Sequence, residues 1–403
     1  MTNIVALIAA TVLNLQTHLI PVKSHEALTN LVMIEQIPMT QAQRAEKAKT
    51  FYEEGYDYFY GISYPVNRTL AVKYFQEAEK LKNADALFFL SIHQQNNGNL
   101  KEAAQAAKRS LELGNEAAKI ILGKIQKDEK LRKEGNTLEL GNEVTKITVG
   151  ETQEYETLMK EGFNALKKKV DSGDMHYSDS LGYAYEFGIG TSLNIKEAMK
   201  YYEMAAKQNN AIGMTNLADL YIQENKLKKA KPLLVKAAEK EYGYAQYLLA
   251  MNFFYYKHEN NEEALHWLER AASNDEPYAL YQLGLYYSEA NDLAKAIKYY
   301  QRAAELNNAD ALLELYYIYG EGVGVEQDDD KALFFLKKAA ELGAQEAIEE
   351  LAAQALSGEG NMDAKEAEYW IKKAGYTEEM LKELDKLQEK SLDMFKKMQK
   401  ENQ

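Results

Sequence analysis

The sequence predicts an all-α protein, a right-handed superhelical α-solenoid of helix–turn–helix repeats. Three observations predict it. Leucines recur at Leu181, Leu217, Leu249, Leu283, Leu315 and Leu351, with spacings of 36, 32, 34, 32 and 36 residues, the period of a two-helix repeat. A pair of small residues stands twelve positions before five of them, at Ala205-Ala206, Ala237-Ala238, Ala271-Ala272, Ala303-Ala304 and Ala339-Ala340. Five prolines in 403 residues and a 46% hydrophobic composition suit long packed helices and not a disordered chain.

Each unit reads as helix A, a loop, helix B and a turn. Helix A carries small residue, leucine and aromatic at i, i+4 and i+8, as in Ala279, Leu283, Tyr287 and Ala311, Leu315, Tyr319, which share one helical face. Helix B carries a bulky pair just before the alanines: Tyr74-Phe75, Tyr201-Tyr202, Leu233-Leu234, Trp267-Leu268, Tyr299-Tyr300 and Trp370-Ile371. Residues 76–87 and 301–312 share one pattern at one spacing, which extends the repeat back to Ala78 and Leu90. Leu122 and Leu181 fit the anchor position, with Ser110 and Lys169 in place of their alanines. A single unit cannot bury such faces, so the units must stack.

The repeats divide into a first block over 45–127 and a second over 154–376. Between them, 128–153 reads as an irregular insertion, because 59 residues separate Leu122 from Leu181. Leu138 to Val149 could turn between short strands there. Residues 1–24 hold an apolar run, Ile4 to Leu13, too short to span a bilayer. It reads as a signal-peptide core or as a buried N-terminal helix. A secreted, periplasmic or endoplasmic-reticulum location is favoured over the cytoplasm. Residues 25–44 read as a helix and linker. Residues 377–403 read as a C-terminal helix capped by Thr377, with Met380, Leu384, Leu387, Met394 and Met398 along one stripe. That stripe would cap the last repeat or form a homodimer.

These residues resemble a known family. Tyr319-Gly320-Glu321-Gly322-Val323-Gly324-Val325 followed by Asp328 and Lys331-Ala332 is similar to the signature loop of the Sel-one-like repeat (SLR) family. Tyr185 to Gly190 followed by Lys196-Glu197-Ala198 is a second copy, and Leu122-Gly123, Leu181-Gly182 and Leu283-Gly284 match its Leu-Gly step. The shorter units drift toward the related tetratricopeptide pattern. The resemblance spans about Ala45 to Gly375. It implies an α-solenoid that serves as an adaptor in protein complexes, as relatives do in endoplasmic-reticulum quality control and among exported bacterial proteins. Some secreted relatives carry a cysteine pair per repeat; this chain has none.

Chemistry is sparse. A net charge of −14 argues against a general nucleic-acid binder. The absence of cysteine excludes disulfides, thiolate catalysis and zinc–cysteine clusters. Gly320-x-Gly322-x-Gly324 follows a helix and not a strand, so it supplies loop conformations and not a dinucleotide site. Asp328-Asp329-Asp330 lacks calcium-loop spacing and reads as a helix cap. No two of the six histidines are four residues apart. Asn67-Arg68-Thr69 is a lone glycosylation sequon. The expectation is therefore no catalytic residue, no cofactor, no metal and no small-molecule substrate. A protein or peptide partner is expected instead, the alternatives being a structural oligomer assembled through the C-terminal helix and, behind it, a solenoid-based enzyme.

Register locates a partner surface. With the anchor leucine as zero, positions −5, −2, +2 and +5 face away from the core side of helix A. They yield Tyr183 and Glu186; Thr215, Asp219 and Ile222; Tyr244, Tyr247, Met251 and Phe254; Tyr278, Tyr281, Leu285 and Ser288; and Tyr317. Tyr183, Tyr244, Tyr247, Met251, Phe254, Tyr278, Tyr281, Leu285 and Tyr317 form the expected concave partner-binding face, because apolar side chains on a solvated face mark binding. The alternative is that a tightly curved superhelix buries part of this face against its neighbours.

Overall fold

The computed structural model describes residues 40–133, 152–255, 261–358, 362–377 and 380. Among these, eighteen α-helices pair into nine successive hairpins, with no strand. The pairs are α1 (Gln41–Tyr60) with α2 (Arg68–Lys80), α3 (Ala84–Asn96) with α4 (Leu100–Glu112), and α5 (Lys119–Lys133) with α6 (Thr152–Asp171). Next come α7 (Ser178–Glu186) with α8 (Ile195–Lys207), α9 (Ala211–Gln223) with α10 (Leu227–Glu239), and α11 (Gly243–Ala250) with α12 (Asn261–Ser273). The last three are α13 (Pro277–Glu289) with α14 (Leu293–Glu305), α15 (Ala309–Glu321) with α16 (Asp329–Glu341), and α17 (Gln345–Ser357) with α18 (Ala364–Lys373). The protein is an α-solenoid.

The predicted anchors form its core. All six leucines from Leu181 to Leu351 are buried, and so are the pairs Ala237-Ala238, Ala271-Ala272, Ala303-Ala304 and Ala339-Ala340. The turn from helix B to the next helix A uses one residue in the left-handed region and then an asparagine cap. Lys82, Asn209 and Asn307 have φ of 60–64°, and Asn83, Asn210 and Asn308 each accept the amide three residues on, at 2.8 Å. A basic residue just before the small pair ties successive units: Arg302 donates to Asp275 at 2.7 Å and to the Ala272 carbonyl at 3.1 Å. Arg109 with Glu79 and Arg270 with Glu241 repeat the arrangement. Where Ser110 replaces alanine, its Oγ is spent on the Ala84 carbonyl at 2.7 Å. Asp328 caps α16 by accepting the Lys331 amide at 3.0 Å, and Gly188, Gly190, Gly322 and Gly324 all take positive φ.

The insertion falls inside one hairpin. Helices α5 and α6 reach into 128–153 from both ends and pack together, and α6 leads on to α7, so the stack continues across it. The strands expected near Leu138 to Val149 lie outside the described residues, as do 1–39 and 381–403. Helix α1 begins at Gln41, inside the 25–44 stretch expected to hold a helix and linker, because Thr40 and Gln43 form a reciprocal capping box. Thr377 does accept the Met380 amide, at 3.3 Å. The homodimer expectation rests on residues outside the described set. No described helix is long and apolar enough to cross a membrane.

The first hairpin returns to the inside of the coil. The Val66 amide donates to the Lys240 carbonyl at 2.7 Å. The Ile62 carbonyl accepts both Asn209 Nδ2 and Lys240 Nζ at 2.9 Å, and Tyr56 Oη donates to the His176 carbonyl at 2.7 Å. The α1–α2 loop and α1 thus rest on the turns that precede α7, α9 and α11.

The Leu-Gly step is where close packing is most demanding. A Cβ at Gly284 would stand 2.4 Å from the Tyr300 ring, and one at Gly182 would stand 2.7 Å from the Tyr202 ring. Both tyrosines are buried and cannot yield. Gly284→Ala should therefore lower the denaturation midpoint, by about 1–3 kcal/mol of overpacking, despite the roughly 1 kcal/mol that helix propensity favours alanine. A midpoint that rises would show the ring contact to be slack.

Candidate functional site

The interior of the coil is built from the register positions that face away from the anchors. Phe88, Ile92 and Gln95 occupy them around Leu90, Ile120 and Lys124 around Leu122, Asp179 and Tyr183 around Leu181, and Ile212 before Leu217. All line one cavity of about 210 Å³. Phe59, Tyr60 and Arg68 of the first hairpin and Tyr242 complete its wall. The outer face of helix A in the early units is thus wrapped around α1, α2 and their loop.

Its polar groups are specific. The Arg68 guanidinium lies over the rings of Phe59 and Tyr242, 5.8 Å from each centroid. Lys124 Nζ lies 5.2 Å from the Tyr183 ring centroid and donates to its hydroxyl at 3.4 Å. Asp179, only 8% exposed, accepts Asn216 Nδ2 at 3.2 Å. Burial pushes its carboxyl up to about 7; the Asn216 bond opposes this and the charge of Glu186 adds to it. Burial likewise pushes Glu276, the α13 cap, up to about 7.

Farther along, three of the expected tyrosines come together. Tyr244 and Tyr247 lie 6.1 Å apart, Tyr247 and Tyr278 lie 5.7 Å apart with rings 27° from parallel, and Tyr244 and Tyr278 lie 6.3 Å apart. This is a ladder across two units, and Tyr278 is 48% exposed. Tyr281 is half-buried and packs on Tyr300 at 6.0 Å, and Leu285 is half-buried on the same core. Tyr317 is exposed and donates to Glu346 at 2.7 Å. Tyr183 stands at the cavity, away from the ladder. Met251 does not share the surface expected of it. It is 4% exposed and packs with Leu268, Ala271 and Leu283, because a helix A held between two neighbouring units offers apolar surface to both. The Phe254 side chain lies outside the described residues; its backbone belongs to a π turn, Met251–Tyr255, that extends α11.

The ladder sits in a negative field. Burial raises the phenols of Tyr244 and Tyr278, and Asp219, Glu276 and Asp310 raise them further. Tyr281 is pushed up to about 12 by burial, then by Glu314, Asp310 and Glu346. The carboxyls of Asp219 and Glu314 are themselves raised by burial. Among the described residues, no group of three or more histidine, aspartate or glutamate side chains could hold a metal ion.

Asp179 and Lys124 were findable from the sequence, by applying the same register to Leu122 and Leu181. Arg68 was not, since its place depends on the return of the first hairpin into the coil. A buried carboxyl raised above its unfolded value near 3.9 contributes stability that is complete below that value and lost as pH rises through about 7. Asp179→Asn keeps the bond from Asn216 and removes the charge. Its melting temperature should match the wild type near pH 4 and exceed it at pH 8. A gain that is the same at both values would show that ionisation of Asp179 plays no part.

Comparison with known proteins agrees with this architecture. The Sel1 repeat matches residues 55–83, 180–210, 243–276 and 309–343, and the tetratricopeptide repeat matches 277–310. The 243–276 unit, short and without the glycine loop, is thus of the Sel1 type. A putative Sel1-like repeat-containing protein of Acanthamoeba polyphaga mimivirus is 28% identical over 124 residues, 31% of this chain and 23% of that protein. An uncharacterised protein of Neisseria meningitidis serogroup B is 28% identical over 175 residues, 42% of this chain and 30% of that protein. The chain spans less than a third of the length of these relatives. A solved Sel1 repeat protein from Oxalobacter formigenes is 25% identical with a TM-score of 0.43, over 55% of this chain and 93% of that one. The chain thus carries four Sel1 repeats and one tetratricopeptide repeat, stacked as an α-solenoid.

Proposed function

We infer a protein-binding, non-catalytic role from the repeats, since proteins built from Sel1 and tetratricopeptide repeats generally mediate protein–protein interactions and such scaffolds are generally non-catalytic. We propose that this chain is a non-catalytic adaptor that holds a protein partner against the ladder of Tyr244, Tyr247 and Tyr278, and that the bound segment of the partner is rich in lysine and arginine. The observation that carries this reading is the ladder itself, three contiguous rings on one face with Tyr278 half exposed. Tyrosine supplies large contact area at little entropic cost, and it dominates binding hot spots.

The charge of the partner follows from the surroundings. Asp219 stands by Tyr244 and Asp310 by Tyr278, so a cationic side chain gains both the ring faces and the carboxylates. An acidic partner would meet repulsion there.

A photo-crosslinking phenylalanine analogue at position 278 of the full chain should capture one partner, through a Lys/Arg-rich segment. Replacing Tyr244, Tyr247 and Tyr278 together by Ser should abolish capture, a loss of at least about 2 kcal/mol, with helicity unchanged. Raising the salt concentration should weaken capture, and a chain ending at Gly375 should retain it. Capture that survives the triple substitution would refute the ladder as the binding surface.

A further inference from the structure

The cavity beside the first hairpin is lined by two cations, Arg68 and Lys124, and one carboxyl, Asp179. We propose that it is a binding site for a small organic anion: one carboxylate or comparable oxyanion on a single aromatic ring or a branched aliphatic body. The proposal goes beyond partner binding and does not rest on it.

The first support is the state of the two cations. The chain carries 62 acidic against 48 basic residues, so carboxylates are plentiful. The arginines at the repeat turns use them: Arg109, Arg270 and Arg302 all form ion pairs. Among the described residues, no carboxylate comes within ion-pair distance of Arg68 or Lys124, and both line the cavity. Their partners are aromatic, Phe59 and Tyr242 for Arg68 and Tyr183 for Lys124. The rings hold the guanidinium in place; it also hydrogen-bonds the Tyr242 hydroxyl and feels the charge of the buried Glu276, and its remaining N–H donors are left to a ligand. The one carboxyl in the wall, Asp179, is buried, which pushes it up to about 7 and weakens its claim on the two cations.

The second support is the rest of the wall. Phe59, Phe88, Ile120, Leu166, Ile189 and Ile212 make the lining mainly apolar, while Asn216 and Ser180 offer neutral hydrogen bonds. An apolar lining with a few convergent polar groups is the usual composition of a small-ligand site. The volume, about 210 Å³, sets the size. A cavity of about 150 Å³ lined by Leu, Ile and Phe accepts benzene, so this one has room for a ring and a short acidic arm.

The test uses the full chain and named probes. Benzoate, phenylacetate and 3-phenylpropionate would be titrated by calorimetry against the corresponding primary amides, which share the shape and lack the charge. At least one acid should bind saturably at one site per chain, and its amide should bind about tenfold more weakly or worse. Arg68→Gln and Lys124→Gln should each reduce acid binding severalfold, with circular dichroism unchanged. The triple serine variant of the ladder should bind the acid as the wild type does, which keeps a failure here distinct from a failure of partner binding. No saturable binding by any of the three acids up to about 10 mM, or amides that bind as well as acids, would overturn the proposal. So would acid binding that is unchanged in both Gln variants.

Discussion

The close approach of helices across small residues is the contact on which the rest of this molecule depends. Buried alanine pairs on helix B and glycines at the Leu-Gly step of helix A leave no room for an added methyl group. Tyrosine rings such as Tyr202 and Tyr300 lie directly against the exposed glycine backbone. Packing of this density transmits shape, because side chains that already touch cannot absorb a change of angle. Each unit is therefore set on the last at a fixed rotation, and the summed rotation curves the stack.

That curvature has a structural consequence. It brings the turns before α7, α9 and α11 around to the first hairpin, which they hold through His176, Asn209 and Lys240. Polar turns that would otherwise face water become partners for the backbone of residues 62–66. The interior is thereby split in two. Near the first hairpin it is a partly open cavity, mostly apolar and lined by Arg68 and Lys124. Along α11 to α15 it is open, rich in tyrosine and bordered by carboxylates. One repeated helix position supplies both environments, and only the presence or absence of the returning hairpin distinguishes them.

Much of the fold was legible in the sequence because it is local and repeated. The anchor leucines, the alanine pairs, the glycine loops and the cap at Asp328 all follow from spacing within about forty residues, and all occupy the roles that spacing implies. The tyrosine ladder was legible in part. Register brought Tyr244, Tyr247 and Tyr278 to one face, and that face exists. Register also placed Met251 there, and the core holds it instead, because a simple helical wheel ignores the neighbouring unit that packs on the far side. The cavity was not legible. It requires Arg68 to meet Tyr242 and Ile62 to meet Lys240, contacts between residues more than 170 positions apart, and no periodic signal encodes a contact between the two ends of a turn of superhelix.

The seating of the first hairpin inside the coil is the claim that carries both the cavity and the division of the interior. The chain contains no cysteine, so a pair can be introduced without background. The Val66 amide lies 2.7 Å from the Lys240 carbonyl, which makes Val66→Cys with Lys240→Cys the most direct probe. A short bismaleimide reagent should crosslink this pair rapidly within the folded monomer and slowly in urea. Crosslinking no faster in the folded chain than in urea would contradict the account.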